Sequence, residues 1–235
     1  MDEFAEVARD RRALVKNALV LGSVLAVPGA VAAAGRAGAR ITSRDLKPVV
    51  QPPVPVRRVA PAITSARVVR PELLRRALAS LSRHGARVKH DRIAIVDFAA
   101  PSSQPRLHFL DIASGRSNSL LVAHGSGSDP RHTGYLARFS NAFGSNASSE
   151  GAFLTSEYYV GKHGRSQRLI GLDPTNDNAL GRAIVVHAAW YANKDILRTR
   201  GVLGRSQGCF AVGESDLAEV FGRLGEGRMI YATKV

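Results

Sequence analysis

The chain has 235 residues, of which 45% are apolar and 22% charged, so it is long enough for one sizeable domain with extensions. Its formal net charge of +14 and isoelectric point near 10.9 predict attraction to polyanions, either nucleic acid or an anionic cell envelope. The only cysteine has no partner for a disulfide, and the sequence contains no cysteine–histidine cluster of the kind that binds zinc.

The first 34 residues have the three parts of a secretory signal segment. A basic stretch is followed by an uncharged stretch at 17–35, which closes on small residues that suit a signal peptidase. The pair Arg11-Arg12 predicts a twin-arginine signal, although Asp10 stands where that signal usually has Ser or Thr, so general secretion stays open. An uncleaved anchor helix is the alternative, because about 17 apolar residues only just span a bilayer. We predict export to the periplasm or cell envelope.

Export changes the interpretation of the charge. Residues 1–34 contain four basic and four acidic side chains, so their removal leaves the whole +14 on the mature chain. Outside the cytoplasm, phosphate-rich wall polymers or lipid head groups replace nucleic acid as the expected anionic partners. The sequence also lacks an RNA-binding aromatic motif and a recognition-helix pattern. The alternative is a solvated basic surface that binds no partner.

Residues 35–69 are predicted to form an extended, proline-rich linker. The stretch KPVVQPPVPVRRVAPA at 47–62 holds five of the eleven prolines, spaced so that neither a helix nor a central strand can form. The folded domain is predicted at 70–235. Its first helix should begin near Pro71, which suits a first helical turn, and end at Gly85.

Short strands predominate after that helix, which predicts a β-rich α+β domain. The strand candidates are apolar runs with partial alternation, bounded by Pro, Ser and Gly clusters, at 92–99, 106–113, 117–125, 152–161, 168–173, 182–189 and 227–235. The stretch ASGRS at 113–117 predicts a hairpin turn around Gly115. A second helix is predicted at 214–225, where four apolar residues share one face.

The only cysteine, Cys209, lies in the stretch GRSQGCFAV at 204–212. An unpaired thiol can oxidise or cross-link outside the cytoplasm, so it persists there either because it is buried and inert or because it reacts usefully. Ser206 and Gly208 permit a tight turn that would expose the sulfur and bring backbone N–H groups close to a reacting carbonyl oxygen. A thiol nucleophile also needs a cationic neighbour that lowers its pKa.

Seven histidines could supply that neighbour. His187 ends the strand candidate AIVVH, where a strand delivers a side chain to the rim of a domain. His124 and His163 each precede a glycine, as residues of functional turns often do. Spacing alone leaves all three open as the partner of Cys209.

The stretch IVVHAAWYANKDILRTRGVLGRSQGCFAV resembles the catalytic signature of the murein L,D-transpeptidases (YkuD-like), in which a histidine precedes a Ser/Thr–x–Gly–Cys element. The similarity extends from about residue 124 to the end of the sequence. The resemblance implies a single L,D-transpeptidase-like β-sandwich or barrel domain with peripheral helices. It also implies that Cys209 is the nucleophile and His187 its base, while Ser206 and Gly208 shape the turn.

Two positions depart from the commonest form of that signature. Gln207 stands where it has His, and Ala211 stands where it has Asn or Arg. The signature therefore does not give the group that binds the substrate carboxylate. Arg205 is the first candidate for that role, with Lys162 and Arg165 behind it.

The resemblance implies acyl transfer between peptide stems of peptidoglycan, without a metal or another cofactor. The Cys209 thiolate would attack the carbonyl of an L-centred residue, the diaminopimelate before a terminal D-alanine, and a stem amine or water would resolve the thioester. His124, His163 and Gln207 are expected to line the cleft with Arg205. Hydrolysis would make the chain an L,D-carboxypeptidase. Another cysteine peptidase of the wall and a non-catalytic wall-binding module also stay open.

The signal segment gives the first prediction. Because the uncharged stretch closes on small residues, the mature chain should begin near Ala33 or Gly35. N-terminal sequencing of protein purified from the envelope fraction measures this directly. A chain that still begins at Met1 or Asp2 would replace the secreted form with an anchored one.

Overall fold

The computed structural model describes residues 69–235; the predicted signal segment and all but the last residue of the predicted linker lie outside this range. The described part contains three α-helices and eight strands. The helices are α1 (Pro71–Arg83), α2 (Lys194–Arg200) and α3 (Leu217–Leu224). The strands are β1 (Arg92–Asp97), β2 (Leu107–Asp111), β3 (Ser117–Leu120), β4 (Gly151–Gly161), β5 (Gly164–Gly171), β6 (Val185–Ala188), β7 (Phe210–Val212) and β8 (Met229–Thr233). None of the helices in this range has the length and hydrophobicity needed to cross a bilayer.

The eight strands form one mixed sheet in the order β3-β2-β1-β8-β4-β5-β6-β7. Neighbouring strands pair antiparallel except for β1 with β8 and β6 with β7, which are parallel. The chain that follows β3 reaches the opposite edge of the sheet, where Ala123 forms a bridge with Ala211 of β7. The sheet therefore curves until its two edges meet, and the predicted β-rich α+β class is confirmed.

Three phenylalanine rings pack together in the core at β7. The Phe210 ring lies 5.3 Å from the Phe153 ring, edge to face, and 6.1 Å from the Phe98 ring, stacked. All three side chains are fully buried, so each contributes a large apolar area and a favourable ring geometry. Because Phe210 directly follows Cys209, this packing fixes the chain on one side of the cysteine.

Helix α1 covers the other face of β1. Its buried residues Leu73, Ala77 and Leu81 recur every four positions and so form one stripe, which packs against Ile93 and Ile95. Ala94 and Val96, which alternate with those two isoleucines, face the inner core, so the middle of the strand is buried on both faces. Burial on both faces explains why the run IAIV is continuously apolar.

The predicted helices and strands are confirmed, with ends that shift by a few residues. The sequence pattern gives no signal for β7 and α2, because three and seven residues are too few to establish a hydrophobic period. Strand β5 begins four positions before the predicted 168, since its first residues pair with the end of β4 in a hairpin. The predicted turn at Gly115 is confirmed, with a φ of 67° that favours glycine.

The loop from β5 to β6 yields a stability prediction. A Cβ on Gly171 would lie 1.8 Å from the carbonyl oxygen of Asn176, so Gly171→Ala forces backbone to move. We expect a loss of about 1–3 kcal/mol in the free energy of unfolding, measured by urea denaturation. The matched control is Gly222→Ala in α3, where a Cβ meets nothing within 4 Å. It should stabilise the helix by about 0.5–1 kcal/mol, and equal effects of the two substitutions would contradict the prediction.

Candidate active site

His187 lies in β6, between β5 and β7, and its side chain is almost fully buried. The ring nitrogen Nδ1 is 2.8 Å from the carbonyl oxygen of Ala188. A carbonyl oxygen can only accept, so Nδ1 carries the hydrogen and Nε2 of the neutral ring keeps its lone pair. Burial lowers the pKa of His187, the hydrogen bond to the Ala188 carbonyl opposes this, and the charge of Lys162 lowers the pKa further. The imidazole is therefore neutral at pH 7 and has a free basic nitrogen.

The parallel pairing of β6 with β7 brings Cys209 to the same face as His187. The register aligns Val186 with Phe210 and His187 with Ala211, so Cys209 stands beside Val185, one position before the strand begins. Side chains two positions apart on a strand share a face. Cys209 and His187 are thus diagonal neighbours, and both line the same cavity.

The thiol of Cys209 is protonated at rest. Burial raises its pKa, and this outweighs the backbone N–H of Val185 and the charges of Lys162 and Arg182, which all lower it. Its Sγ lies 3.6 Å from the carbonyl oxygen of Ala183, an acceptor for the S–H group. The sequence predicts a cationic neighbour, and two are present, a lysine and an arginine. The prediction that the thiol pKa is lowered overall is wrong, because burial raises it.

The turn before Cys209 is held by hydrogen bonds from Ser206. Its Oγ donates to the carbonyl oxygen of Cys209 at 2.7 Å and accepts the N–H of Gly208 at 3.1 Å. Gly208 has a φ of 114°, and a Cβ there would lie 2.7 Å from the carbonyl oxygen of Ala147. Both residues therefore shape the turn, as the resemblance implies. The Gly208 N–H is bonded within the turn and does not face the cavity as an oxyanion donor would.

A cavity of about 310 Å³ opens in front of Cys209 and His187. Five further residues named from the sequence line it: Arg205, Lys162, Ser206, Gln207 and His163. Five residues that the sequence does not predict there also line it: Tyr159, Arg182, Ala183, Val185 and Tyr191. Gly208 and His124 do not line the cavity. No group of three or more acidic, histidine or cysteine side chains that could hold a metal ion occurs among residues 69–235.

His163 stacks on the ring of His187, with ring centres 4.3 Å apart and planes 20° from parallel. It belongs to the two-residue loop that joins β4 to β5. Burial and then the charge of Lys162 lower its pKa. His163 is thus a neutral, exposed ring stacked on the candidate base His187. The sequence predicts only that His163 lines the cleft.

Arg205 lines the cavity, but part of its guanidinium is already bonded. Its Nη1 donates to the carbonyl oxygens of Asp129 and Pro130, the second at 3.2 Å. These bonds hold the side chain against the loop that follows β3. Arg165, the other arginine considered from the sequence, does not line the cavity; its guanidinium lies 5.1 Å from the centre of the Tyr158 ring.

Arg182 is a residue of the site that the sequence pattern does not indicate. Its four hydrogen bonds all go to one segment, at Ser140, Ser145, Ala147 and Ser149. Burial lowers its pKa, which the nearby Cys209 opposes. No spacing rule connects an arginine in a long loop with a cysteine on a later strand, so only the fold reveals the relation.

His124 is buried beneath the cysteine turn and does not reach the cavity. Its Nδ1 accepts a 2.7 Å hydrogen bond from Nη2 of Arg106, and its Nε2 lies 3.5 Å from a carboxylate oxygen of Asp129. Burial, followed by the charge of Arg106, lowers the pKa of His124 to about 3. Its backbone carbonyl accepts the N–H of Ser206 at 2.9 Å. The position indicates support of the turn, in contrast to the substrate contact expected from the sequence.

The buried, neutral His124 predicts a pH-dependent stability. Its pKa is about 3 in the folded chain and 6.5 ordinarily, so between these values the unfolded chain binds one more proton. The free energy of unfolding should therefore fall as pH decreases from about 6.5 to 3, by up to about 1.4 kcal/mol per pH unit for this residue. Urea denaturation across this range should show a shallower fall for His124→Asn. An unchanged slope would contradict the prediction.

A family model described as the L,D-transpeptidase catalytic domain matches residues 65–233. No sequence among the curated proteins matches the chain.

Solved structures of L,D-transpeptidases match part of the chain at low sequence identity. One is LdtMt1 in complex with imipenem, at 13% identity, a TM-score of 0.37 and coverage of 61% of this chain and 59% of that one. A second comes from Mycobacterium smegmatis (11%, 0.38, 61% and 58%) and a third from Xylanimonas cellulosilytica (14%, 0.37, 63% and 62%). The chain thus spans less than two thirds of each of these structures.

The family match includes His187, Cys209 and the whole segment between β6 and β7, and it extends over more than half of the 235 residues. The chain belongs to the L,D-transpeptidase catalytic domain family.

Proposed function

We propose that the chain is a peptidoglycan L,D-transpeptidase in which the Cys209 sulfur attacks a stem-peptide carbonyl and His187 serves as the base. The observation that carries the proposal is the hydrogen bond from Nδ1 of His187 to the Ala188 carbonyl oxygen. It leaves Nε2 unprotonated on the face that His187 shares with Cys209.

The resting pair is a neutral thiol and a neutral imidazole, so the proton moves when the sulfur attacks. The S–H group turns from the Ala183 carbonyl towards Nε2 of His187, which takes the proton as the C–S bond forms. Catalytic hydrogen bonds commonly form only with substrate in place. The positive charge of Arg182 stabilises the developing negative charge on sulfur.

The second half of the first step releases the terminal D-alanine. The C–N bond breaks, its nitrogen takes the proton from the His187 imidazolium, and a thioester to Cys209 remains. An amine from another stem then attacks the thioester and gives a proton to His187, which returns it to the sulfur. Water in place of the amine gives L,D-carboxypeptidase activity, so product analysis separates the two outcomes.

The proposal includes the place of action. Peptidoglycan lies outside the cytoplasm, which agrees with the signal segment predicted at residues 1–34 and with a periplasmic or envelope location. The basic charge of the chain would favour binding to anionic envelope polymers. The proposed cysteine chemistry needs no metal or organic cofactor.

The reaction is tested with purified disaccharide-tetrapeptide and mass spectrometry of the products. Cys209→Ser should lose nearly all D-alanine release, because a hydroxyl lacks the acidity and nucleophilicity of a thiol. His187→Gln should reduce kcat by about 10²- to 10⁴-fold, the usual contribution of a general base. The matched control is His90→Gln, an exposed histidine bonded to the Gly85 carbonyl, which should keep full activity.

Covalent trapping provides an independent measurement. Imipenem should acylate the wild-type thiol by opening its β-lactam ring, adding one intact imipenem mass per chain, and Cys209→Ser should gain none. Iodoacetamide alkylation of the free protein should accelerate above neutral pH, because burial raises the pKa of the thiol. Full D-alanine release by Cys209→Ser would refute the proposal.

A further inference from the structure

The cavity in front of Cys209 has a one-sided charge. Its lining includes the cations Lys162, Arg182 and Arg205, whereas none of the residues that line it is an aspartate or a glutamate. A partly enclosed space that is lined by positive charges concentrates anionic ligands. The cavity is therefore built to receive a negatively charged group next to the reacting pair.

Two of these three cations already have partners. Arg182 uses both terminal nitrogens on the segment 140–149, at distances between 2.5 and 3.2 Å. Arg205 uses Nη1 on the carbonyl oxygens of Asp129 and Pro130. Both guanidinium groups therefore hold the walls of the cavity in place, and a ligand that bound their bonded nitrogens would have to break those contacts.

Lys162 is different because it lines the cavity and has no hydrogen-bond or ion-pair partner among residues 69–235. It lies with His163 in the two-residue loop between the paired glycines Gly161 and Gly164, where Gly164 has a φ of 71°. Val160, just before the loop, is 81% exposed, so this end of the hairpin projects from the domain. The hairpin thus holds a free cation beside the reacting groups.

The charge of Lys162 acts on every reactive group of the site. It lowers the pKa values of Cys209, His187 and His163. Because the charge of Lys162 lowers the pKa of both the thiol and the imidazole, it also lies within electrostatic range of a charged group a few bonds from the attacked carbonyl carbon. The terminal carboxylate of a departing residue is such a group, because its carbon is separated from the scissile carbonyl carbon only by the nitrogen and one Cα.

We propose that Lys162 binds the free carboxylate of the departing residue, and so selects donor stems that end one residue after the attacked carbonyl. This inference rests on the proposed function. The bound carboxylate also offsets the positive charge that otherwise disfavours protonation of His187. The correct donor thus makes His187 a stronger base at the moment when the thiol proton must move, and a donor without the carboxylate does not.

The test compares two donors that differ only in their last group. One is a stem tetrapeptide with a terminal D-alanine carboxylate, and the other has the same sequence with a D-alanine carboxamide. Wild type should acylate the carboxylate donor with a kcat/KM about 10- to 100-fold higher, the range for hydrogen bonds to charged groups. Lys162→Gln should bring this ratio close to one, mainly by slowing the carboxylate donor. Lys162→Arg should restore most of it.

The matched control is Arg165→Gln, which removes one positive charge from the same hairpin at a side chain outside the cavity. Its guanidinium lies over the rings of Tyr158 and Phe221. This variant should keep the wild-type ratio. A Lys162→Gln variant that keeps the preference, or that slows both donors equally, would overturn the inference.

Binding to an inactive protein separates this inference from the proposed reaction. In Cys209→Ala, calorimetry should show tighter binding of the carboxylate peptide than of the carboxamide peptide, and adding Lys162→Gln should remove the difference. If wild type acylates neither donor, the proposed function fails, while this binding comparison still decides the role of Lys162. Equal binding of the two peptides to Cys209→Ala would refute that role.

Discussion

The parallel pairing of β6 with β7 is the constraint on which the candidate site depends. Its register places His187 and Cys209 on one face of the sheet as diagonal neighbours. Side chains alternate along a strand, so a shift of one residue would turn Cys209 towards the opposite face and away from the imidazole. With only three residues, β7 makes few ladder hydrogen bonds of its own. Its register must be secured by contacts outside the ladder.

Those contacts come from the chain that follows β3. The carbonyl of His124 accepts the Ser206 N–H, and Gly125 lies so close to Gly208 that a Cβ on it would be 2.7 Å from the Gly208 nitrogen. Beneath them, the fully buried Arg106 bonds the His124 ring and the Val122 carbonyl. A buried guanidinium is tolerated only when its donors are satisfied, so this group fixes the segment in one arrangement. The cysteine turn is therefore positioned by a polar core on one side and by aromatic packing on the other.

The sequence predicts the parts of this fold that extend over a full hydrophobic period. The run RIAIVD and the apolar stripe of α1 each repeat often enough to reveal their type, whereas β7 and α2 do not. The pairing of Cys209 with His187 is predicted only by the resemblance to the L,D-transpeptidase signature, because spacing alone leaves three histidines open. The protonation state of the thiol was not accessible, since it depends on burial that only the packed structure produces. For the same reason, Arg182 and the buried role of His124 emerge only from contacts between distant segments.

The protonated state of Cys209 has a consequence for the lifetime of the protein. Peroxides and other oxidants attack the thiolate, and oxidation beyond the sulfenic acid is irreversible for most proteins. A thiol that is 9% exposed and donates its hydrogen to the Ala183 carbonyl presents little thiolate to such reagents. With no second cysteine in the chain to form a protective disulfide, the resistance of Cys209 to oxidation rests on its burial. In the proposed reaction, the same burial that delays attack by the sulfur until substrate arrives would also preserve the thiol between turnovers.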